Sequence, residues 1–546
     1  MDNFVVVIFI ITTLIILSAF SNKIKLPYPI LLLAVGIVIG FVPFIPSVEL
    51  DPEIVFLIFL PPILYDASLK TSWLEFKKEI RPISTLAISL VFCTTIAVAF
   101  AAHYFIPGFS WPMAFVLGAI VSPPDAVAAT SITKGMGLNR RVITIIEGES
   151  LVNDASALIA YRYAVAAVFT GTFVFWKAWL GFLQVGVGGV LAGLSVGFIM
   201  VLAHKKITDN PIVETTLSLL TPFIAYIVAE GLHSSGVLAV VTAGFFISWH
   251  SREIMTFQTR LQNNIVWETV IFVLNGLVFI FMGLQIPTVI GRFKEHGFLQ
   301  MLAYGLIISV VTILIRIIWV FIGAYHPRIF KRKRNKPGAD VDEEPVSWKN
   351  VLLVGWTGTR GVVSLATALA LPLFLSNGLA FPLRDHILFF TFVVILVTLV
   401  VQGSTLPLLV RTLGIKRETH LQKREDKDLQ LMLTENILQF ITSDFPIELD
   451  DKVMEQIRKG YQSSFNLLSK NKSAGRYENQ NDVAQINLLR QMMSGQLEII
   501  KYKRELLLKF QKEGTFNEES IGKAELELDI EELRISNMKL KRGEVL

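Results

Sequence analysis

The chain predicts an all-α polytopic membrane protein of about thirteen transmembrane helices with a helical cytoplasmic tail, and three observations carry that prediction. Hydrophobic residues make up 53% of the 546 residues and charged residues 17%, and the mean hydropathy of +0.56 is well above that of soluble chains of this length. Apolar runs long enough to cross a bilayer recur from the amino terminus to about residue 412. Lys and Arg gather in alternate loops between those runs, the asymmetry that keeps a loop in the cytoplasm.

Thirteen runs can be drawn, approximately over 4–21, 29–45, 53–69, 82–106, 112–133, 142–168, 178–203, 211–231, 235–249, 262–285, 299–326, 349–374 and 385–412. A span needs roughly 20 apolar residues, fewer where the helix is broken or packed inside protein. The third and ninth runs are short, and a count of twelve would move one terminus across the membrane. One set of loops holds Lys23 and Lys25, then Lys70, Lys77, Lys78 and Arg81, then Lys134, Arg140 and Arg141, then Lys205 and Lys206, then Arg252 and Arg260, and finally the basic cluster from Arg328 to Lys336. The opposite loops hold Lys177, Arg292, Lys294 and Arg384. The amino terminus is therefore expected outside and the carboxyl terminus in the cytoplasm. The first run lacks a basic leader and a small-residue cleavage site, so it reads as a retained span and not a signal peptide. The net charge of +5 thus reports topology more than an acidic partner, and the single cysteine, Cys93, reads as packing.

Beyond about residue 413 the composition turns charged and helix-prone, so residues 416–546 are expected to form a cytoplasmic helical tail. Ile486, Leu489, Met493, Leu497, Ile500 and Leu507 fall at helical steps and make an amphipathic stripe. Asn517 followed by Glu518 and Glu519 reads as the cap and first turn of another helix.

Ionisable side chains inside apolar spans are costly and mark ion paths. They are few: Asp125 in the fifth run, Glu147, Glu149, Asp154 and Arg162 in the sixth, Arg316 in the eleventh and Arg360 in the twelfth, with Asp66 near the end of the third. In the sixth run, EGESLVNDASALIAY, Ser150 and Asp154 lie one turn apart on one stripe, and Glu149 and Asn153 share a neighbouring stripe about 100° around. Carboxylate, hydroxyl and amide oxygens suit a small alkali cation better than a transition metal. Glu147, two turns before Asp154, could line the cytoplasmic approach. Glu149 would be an uncompensated buried charge, and Arg316 is the intramembrane cation expected to pair with it. The competing reading makes all of these bundle-packing polar residues.

The fifth run contains VSPPDAVAAT, whose consecutive prolines remove two backbone donors beside Asp125. The twelfth contains GWTGTRGVVSLATALALP, where Gly355, Gly358 and Gly361 surround Arg360. Two interrupted helices suggest a crossing, and the half-helix ends exposed there would be neutralised by one buried acid and one buried base, Asp125 and Arg360. A proline kink with a buried pair is the alternative. The breaks lie seven runs apart, an odd offset, so the halves enter the membrane from opposite sides: inverted repeats, the pattern of secondary transporters. The chain has no GxxxxGK[ST] loop, so an ion gradient and not ATP is the expected energy source, and neither enzymatic activity nor a cofactor is expected.

Four segments, LPPILYDASL at 60–69, VSPPDAVAAT at 121–130, EGESLVNDASAL at 147–158 and GTRGVVSLATALALP at 358–372, resemble the bacterial sodium/proton exchangers of the first monovalent cation:proton antiporter family. The resemblance spans nearly all of residues 1–415. It implies thirteen spans divided between a core (82–168 and 299–412) and a dimerisation scaffold (1–81 and 178–298), in a homodimer of the cell membrane working by an elevator-like movement. It also implies that Asp154 carries the cation or the proton, with Ser150 as a side-chain ligand to Na+ and Asn153 beside it, that Glu149 and Arg316 are a stabilising ion pair, that Asp66 approaches the site, and that Asp125 and Arg360 are the crossing's charges. Many relatives carry a Thr before the fifth-span acid, whereas this chain has Pro124, which can offer only its backbone carbonyl. An Asn-Asp pair holds one titratable group, which favours electroneutral exchange of one proton for one Na+, with Li+ as a related cargo. The rival readings are a K+/H+ antiporter of the same fold, a cation channel, and a transporter-derived sensor with the tail as output. Gly189, Gly193 and Gly197 form a small-residue stripe in the seventh run that fits a dimer contact and an intrachain contact equally well. His204, His250 and His326, near cytoplasmic helix ends, could tune a pH response.

Overall fold

The computed structural model describes residues 2–21, 28–42, 57–125, 138–171, 175–207, 210–291, 297–325, 347–375, 378–414 and 431–442, with shorter pieces between 454 and 535. The chain separates into two compact units, Met1–Arg417 and Glu418–Leu546. Lys23, Lys25, Lys134, Arg292, Lys294, the cluster from Arg328 to Lys336 and His326 lie outside the described residues, as do most of the stripe from Ile486 to Leu507 and the Asn517 cap.

The first unit is helical. Its elements are α1 (Asp2–Ser21), α2 (Tyr28–Gly40), α3 (Leu60–Lys70), the short α4 (Trp73–Lys78), α5 (Ile80–Phe105), α6 (Trp111–Val121), α7 (Arg140–Thr170), α8 (Phe175–Lys206), α9 (Pro211–Gly231), α10 (Gly236–Ile254), α11 (Phe257–Gly291), α12 (Phe298–Tyr325), α13 (Trp348–Trp356), α14 (Val362–Leu369) and α15 (Arg384–Thr412). Among the described residues six of these, α5, α8, α9, α11, α12 and α15, contain a stretch long and apolar enough to cross a membrane. The protein is a multi-pass membrane protein. The fifth and twelfth apolar runs are shorter as helices than as runs. Helix α6 stops at Val121, before Pro123 and Pro124, and the twelfth run is divided into α13 and α14 by non-helical backbone from Thr357 to Gly361.

Local chemistry explains several of the ends. Asn139 caps α7 by accepting from the Arg141 N–H at 2.7 Å, and Gly171 closes it in the left-handed region at φ 69°, where glycine carries no steric penalty. Asn210 and Ser235 cap α9 and α10 through the N–H groups of Val213 and Leu238. Two helices widen to π geometry for part of their length, α5 over Thr85–Leu90 and α15 over Thr398–Gln402.

Close helix pairs form where side chains are small. Helix α8 lies along α10 and α11 along α2. A methyl group added at Gly189 would meet Ser235, one at Gly193 would overlap Ala239, and one at Gly197 would press on Phe246. The stripe in the seventh run is therefore filled by α10 of the same chain. Apolar side chains of α7, including Leu151 and Ala155, join a buried cluster with Leu64 and Tyr65 of α3 and Val240 of α10. On the other side Tyr161 and Ala164 join a cluster with Val116 and Ile120 of α6. Helix α7 thus sits between two bodies of packed side chains.

The described pieces of the second unit include a helix over 431–442. Ion pairs join Lys503 to Glu531 at 3.2 Å and Arg504 to Glu532 at 2.7 Å. Ile500 of the expected stripe is buried, with Ile441, Leu528 and Ile535 also buried.

Candidate cation and proton site

The site begins where the two interruptions meet. The Asp125 N–H donates to the Thr359 carbonyl at 2.7 Å, and the Thr359 hydroxyl donates to the Asp125 carbonyl at 3.1 Å, so backbone groups released from helical pairing by Pro123 and Pro124 find partners across the crossing. The charges sit at complementary helix ends. The Asp125 carboxylate accepts from the Val362 N–H at 3.4 Å, at the positive amino terminus of α14. Gly361 is required there, since any Cβ would occupy the space of that carboxylate. The Arg360 guanidinium donates to the carbonyls of Val121 at 3.0 Å and Ser122 at 3.4 Å, at the negative carboxyl terminus of α6, and also to Gly358.

One participant in the crossing carried no signal in the sequence. Thr398, in the widened part of α15, accepts the Arg360 N–H through its hydroxyl at 3.0 Å while donating to Val394. A threonine that bonds its own helix looks like any other apolar-span threonine until the tertiary structure brings a second partner.

Helix α7 supplies the other side. Its residues advance by about 100° each, so Glu149 and Asn153 face the α6 and α12 side, Leu151 and Ala155 face α3 and α10, and Asp154 falls between those faces. Glu149 and Arg316 are 1% exposed apiece and form a two-point pair at 2.6 and 2.9 Å. Arg316 also donates to the Val354 carbonyl at 3.2 Å. The Asn153 amide nitrogen donates to the Pro124 carbonyl at 3.0 Å. The carbonyl expected to face a cation thus already holds the asparagine, and the Asn153 Oδ1, buried, has no hydrogen-bond partner among the described residues. Asp154 is 5% exposed, and no hydrogen bond or ion pair to it is formed among the described residues. The half-buried Ser150 lies one turn before it. Asp125 is near enough for its charge to act on Asp154.

Three further charged residues of the sequence reading have partners of their own. Asp66 is buried, but its hydrogen-bond partner is Lys70, one turn along α3 at 2.8 Å, and the structure does not bring it into hydrogen-bond contact with Asp154 or Asn153. Glu147 accepts from the Thr71 hydroxyl at 3.5 Å, near a row of ion pairs in which Arg140 meets Glu75 at 2.6 Å and Arg141 meets Glu79 at 3.0 Å. Arg162, read from the sequence as an intramembrane charge, is half exposed and paired with Glu230.

A family profile described as "Sodium/hydrogen exchanger, transmembrane" matches residues 8–412. The chain belongs to the sodium/hydrogen exchanger family. The exchanger is 35% identical over 410 residues to an uncharacterized Na(+)/H(+) exchanger of Mycobacterium tuberculosis, covering 74% of each chain. It is 33% identical over 425 residues to a sodium, potassium, lithium and rubidium/H(+) antiporter of Bacillus subtilis, covering 75% of this exchanger and 62% of that relative. It resembles in fold the sodium proton antiporter MjNhaP1 from Methanocaldococcus jannaschii, with a TM-score of 0.56 and 17% identity over 75% of this exchanger and 99% of that protein. Members of this family are secondary transporters, so the exchanger's work is transport across the membrane.

Proposed function

We propose that this exchanger trades one cytoplasmic or external Na+ for one proton, electroneutrally, at Asp154, by alternating access. The observation that carries the reading is the contrast among buried carboxylates: Glu149 is matched by Arg316 and Asp66 by Lys70, whereas Asp154 has no hydrogen bond or ion pair among the described residues. A carboxylate held out of water and unmatched is neutralised by a proton or by a bound cation. Asn153 has its amide nitrogen fixed on Pro124, which leaves Oδ1 as an oxygen acceptor beside Asp154. The Ser150 hydroxyl is the further side-chain ligand of this reading, and the Pro124 carbonyl, with a second lone pair, can still contribute. Asn153 does not titrate, so one charge enters and one leaves.

Competition at one carboxylate sets the direction of the pH effect. Protons displace Na+ at low pH, so the apparent KM for Na+ falls as pH rises until Asp154 is ionised throughout. The reading further has thirteen spans in inverted repeats, a homodimer, an elevator movement of the core residues 82–168 and 299–412 against the scaffold, an outside amino terminus and a cytoplasmic carboxyl terminus. The asymmetry of Lys and Arg between loops supports that orientation.

A second reading, the same exchange with K+ admitted, is favoured by the Bacillus subtilis relative, a sodium, potassium, lithium and rubidium/H(+) antiporter. Proteoliposomes holding a pH-sensitive dye, with the membrane potential clamped, decide between them when Na+, Li+ or K+ salts are added to wild type and Asp154→Asn. A Na+ response lost in the variant is the expected result. A K+ response of equal size selects the second reading, and proton movement driven by Na+ in Asp154→Asn overturns the assignment of Asp154.

A further inference from the structure

Arg162 lies eight residues beyond Asp154, about 12 Å further along α7 at 1.5 Å per residue. It falls on the side of the helix that carries Leu151 and Ala155, toward α3, α9 and α10. Its guanidinium donates to both carboxylate oxygens of Glu230 on α9, at 3.1 and 2.9 Å. The two ends of this pair are held differently. Glu230 is fixed by its own body: its carboxylate accepts from the Gly236 N–H at 3.4 Å, at the amino terminus of α10, where a helix favours negative charge. Tyr226 of α9 packs against Gly236 so closely that a Cβ there would meet its ring. Arg162 has no such second anchor in α7. The acid is thus a fixed post and the arginine the detachable arm.

At the opposite end of α7 the charges behave otherwise. Arg140 and Arg141 are taken by Glu75 and Glu79, which lie on or beside α4, a short helix that directly precedes α5. Both acids fall within residues 1–81, outside the core as drawn, on the segment that runs directly into it at residue 82. The Arg162–Glu230 pair joins α7 to a helix of the other body, and a slide of even one helical turn, about 5.4 Å, would take a 2.9 Å contact apart.

We propose that Arg162 and Glu230 form a latch that holds α7 against α9 and α10 in the conformation seen here, and that each transport cycle must open it. This rests on the alternating-access reading above. Both residues are positioning residues: neither touches the Asp154 site. When the latch opens, Glu230 stays at the amino terminus of α10, held by the Gly236 N–H.

The test uses the full chain in proteoliposomes. With Cys93, the single cysteine, replaced by Ser, Arg162→Cys and Glu230→Cys are joined by a methanethiosulfonate cross-linker about as long as the two original side chains, because a direct disulfide needs closer backbones. Cross-linking is expected to reduce exchange at least tenfold, and reductant to restore it, which shows the protein stayed folded. Arg162→Ala is expected to change the ratio of apparent KM for Na+ measured from the two membrane faces by threefold or more, and Arg162→Lys to keep the wild-type ratio. Undiminished exchange in fully cross-linked protein overturns the latch, as does an Arg162→Ala ratio equal to wild type. Absence of cation/proton exchange in the wild type would instead overturn the parent reading.

Discussion

Glu149, Asp66 and Asp125 each have a partner supplied by the protein: a guanidinium, an ammonium one turn away, and the first turn of α14. Asp154 is buried without one among the described residues, and the proposed role of Asp154 as the acid that exchanges its counterion rests on that difference. The same comparison makes a prediction about stability. Removing either member of the Glu149–Arg316 pair leaves a buried charge unmatched, which costs about 3–5 kcal/mol, whereas replacing both with apolar residues of similar size is far milder. Glu149→Gln and Arg316→Met are each expected to lower the melting temperature in detergent sharply, and the double variant to recover most of the loss. A double variant no more stable than the singles would show that the pair is not the main partner of either charge.

At the scale of elements, the broken helices are held together by donors and acceptors that each break releases. Thr398 illustrates how finely this depends on α15, whose widened turn presents the hydroxyl to the Arg360 N–H. Thr398→Val preserves shape and removes that acceptor, leaving a buried donor unmatched at about 1–3 kcal/mol. A melting temperature equal to wild type would mean that the Arg360 N–H finds another partner. Helix pairing by small residues allows a second prediction. A Cβ at Gly193 of α8 would overlap the backbone of Ala239 and the Cβ of Thr242 in α10, atoms that no rotamer change moves aside, so Gly193→Leu is expected to destabilise by about 1–3 kcal/mol, read from thermal unfolding of the purified protein.

At the scale of the molecule, the family match and the first compact unit end close together. The family profile ends at residue 412 and the first unit at Arg417, so every residue assigned here to the cation site lies in the first unit. A chain ending at Arg417 is expected to retain Na+-driven proton movement within about twofold of the full chain's rate, once corrected for the amount of protein in the membrane. Loss of exchange in a truncated chain that still folds would make the tail part of the transport machinery and revive the reading of the tail as an output or control element.

Much of this was legible from residues alone because a bilayer restricts what a sequence can mean. Pro123 and Pro124 in an apolar run remove two backbone donors and so kink or interrupt a helix, and α6 stops at Val121. Charges are so few that Glu149 and Arg316 had little choice of partner. What the sequence did not contain was anything that depends on distance between segments. The stripe of Gly189, Gly193 and Gly197 permits a neighbour without naming it, and only the packing of α8 on α10 shows that the neighbour belongs to the same chain. The partners of Thr398, Pro124 and Arg162 lie 38, 29 and 68 residues away along the chain. Composition and periodicity decide which groups must leave water, because that is a property of each segment; which groups they then meet is decided by how the segments pack.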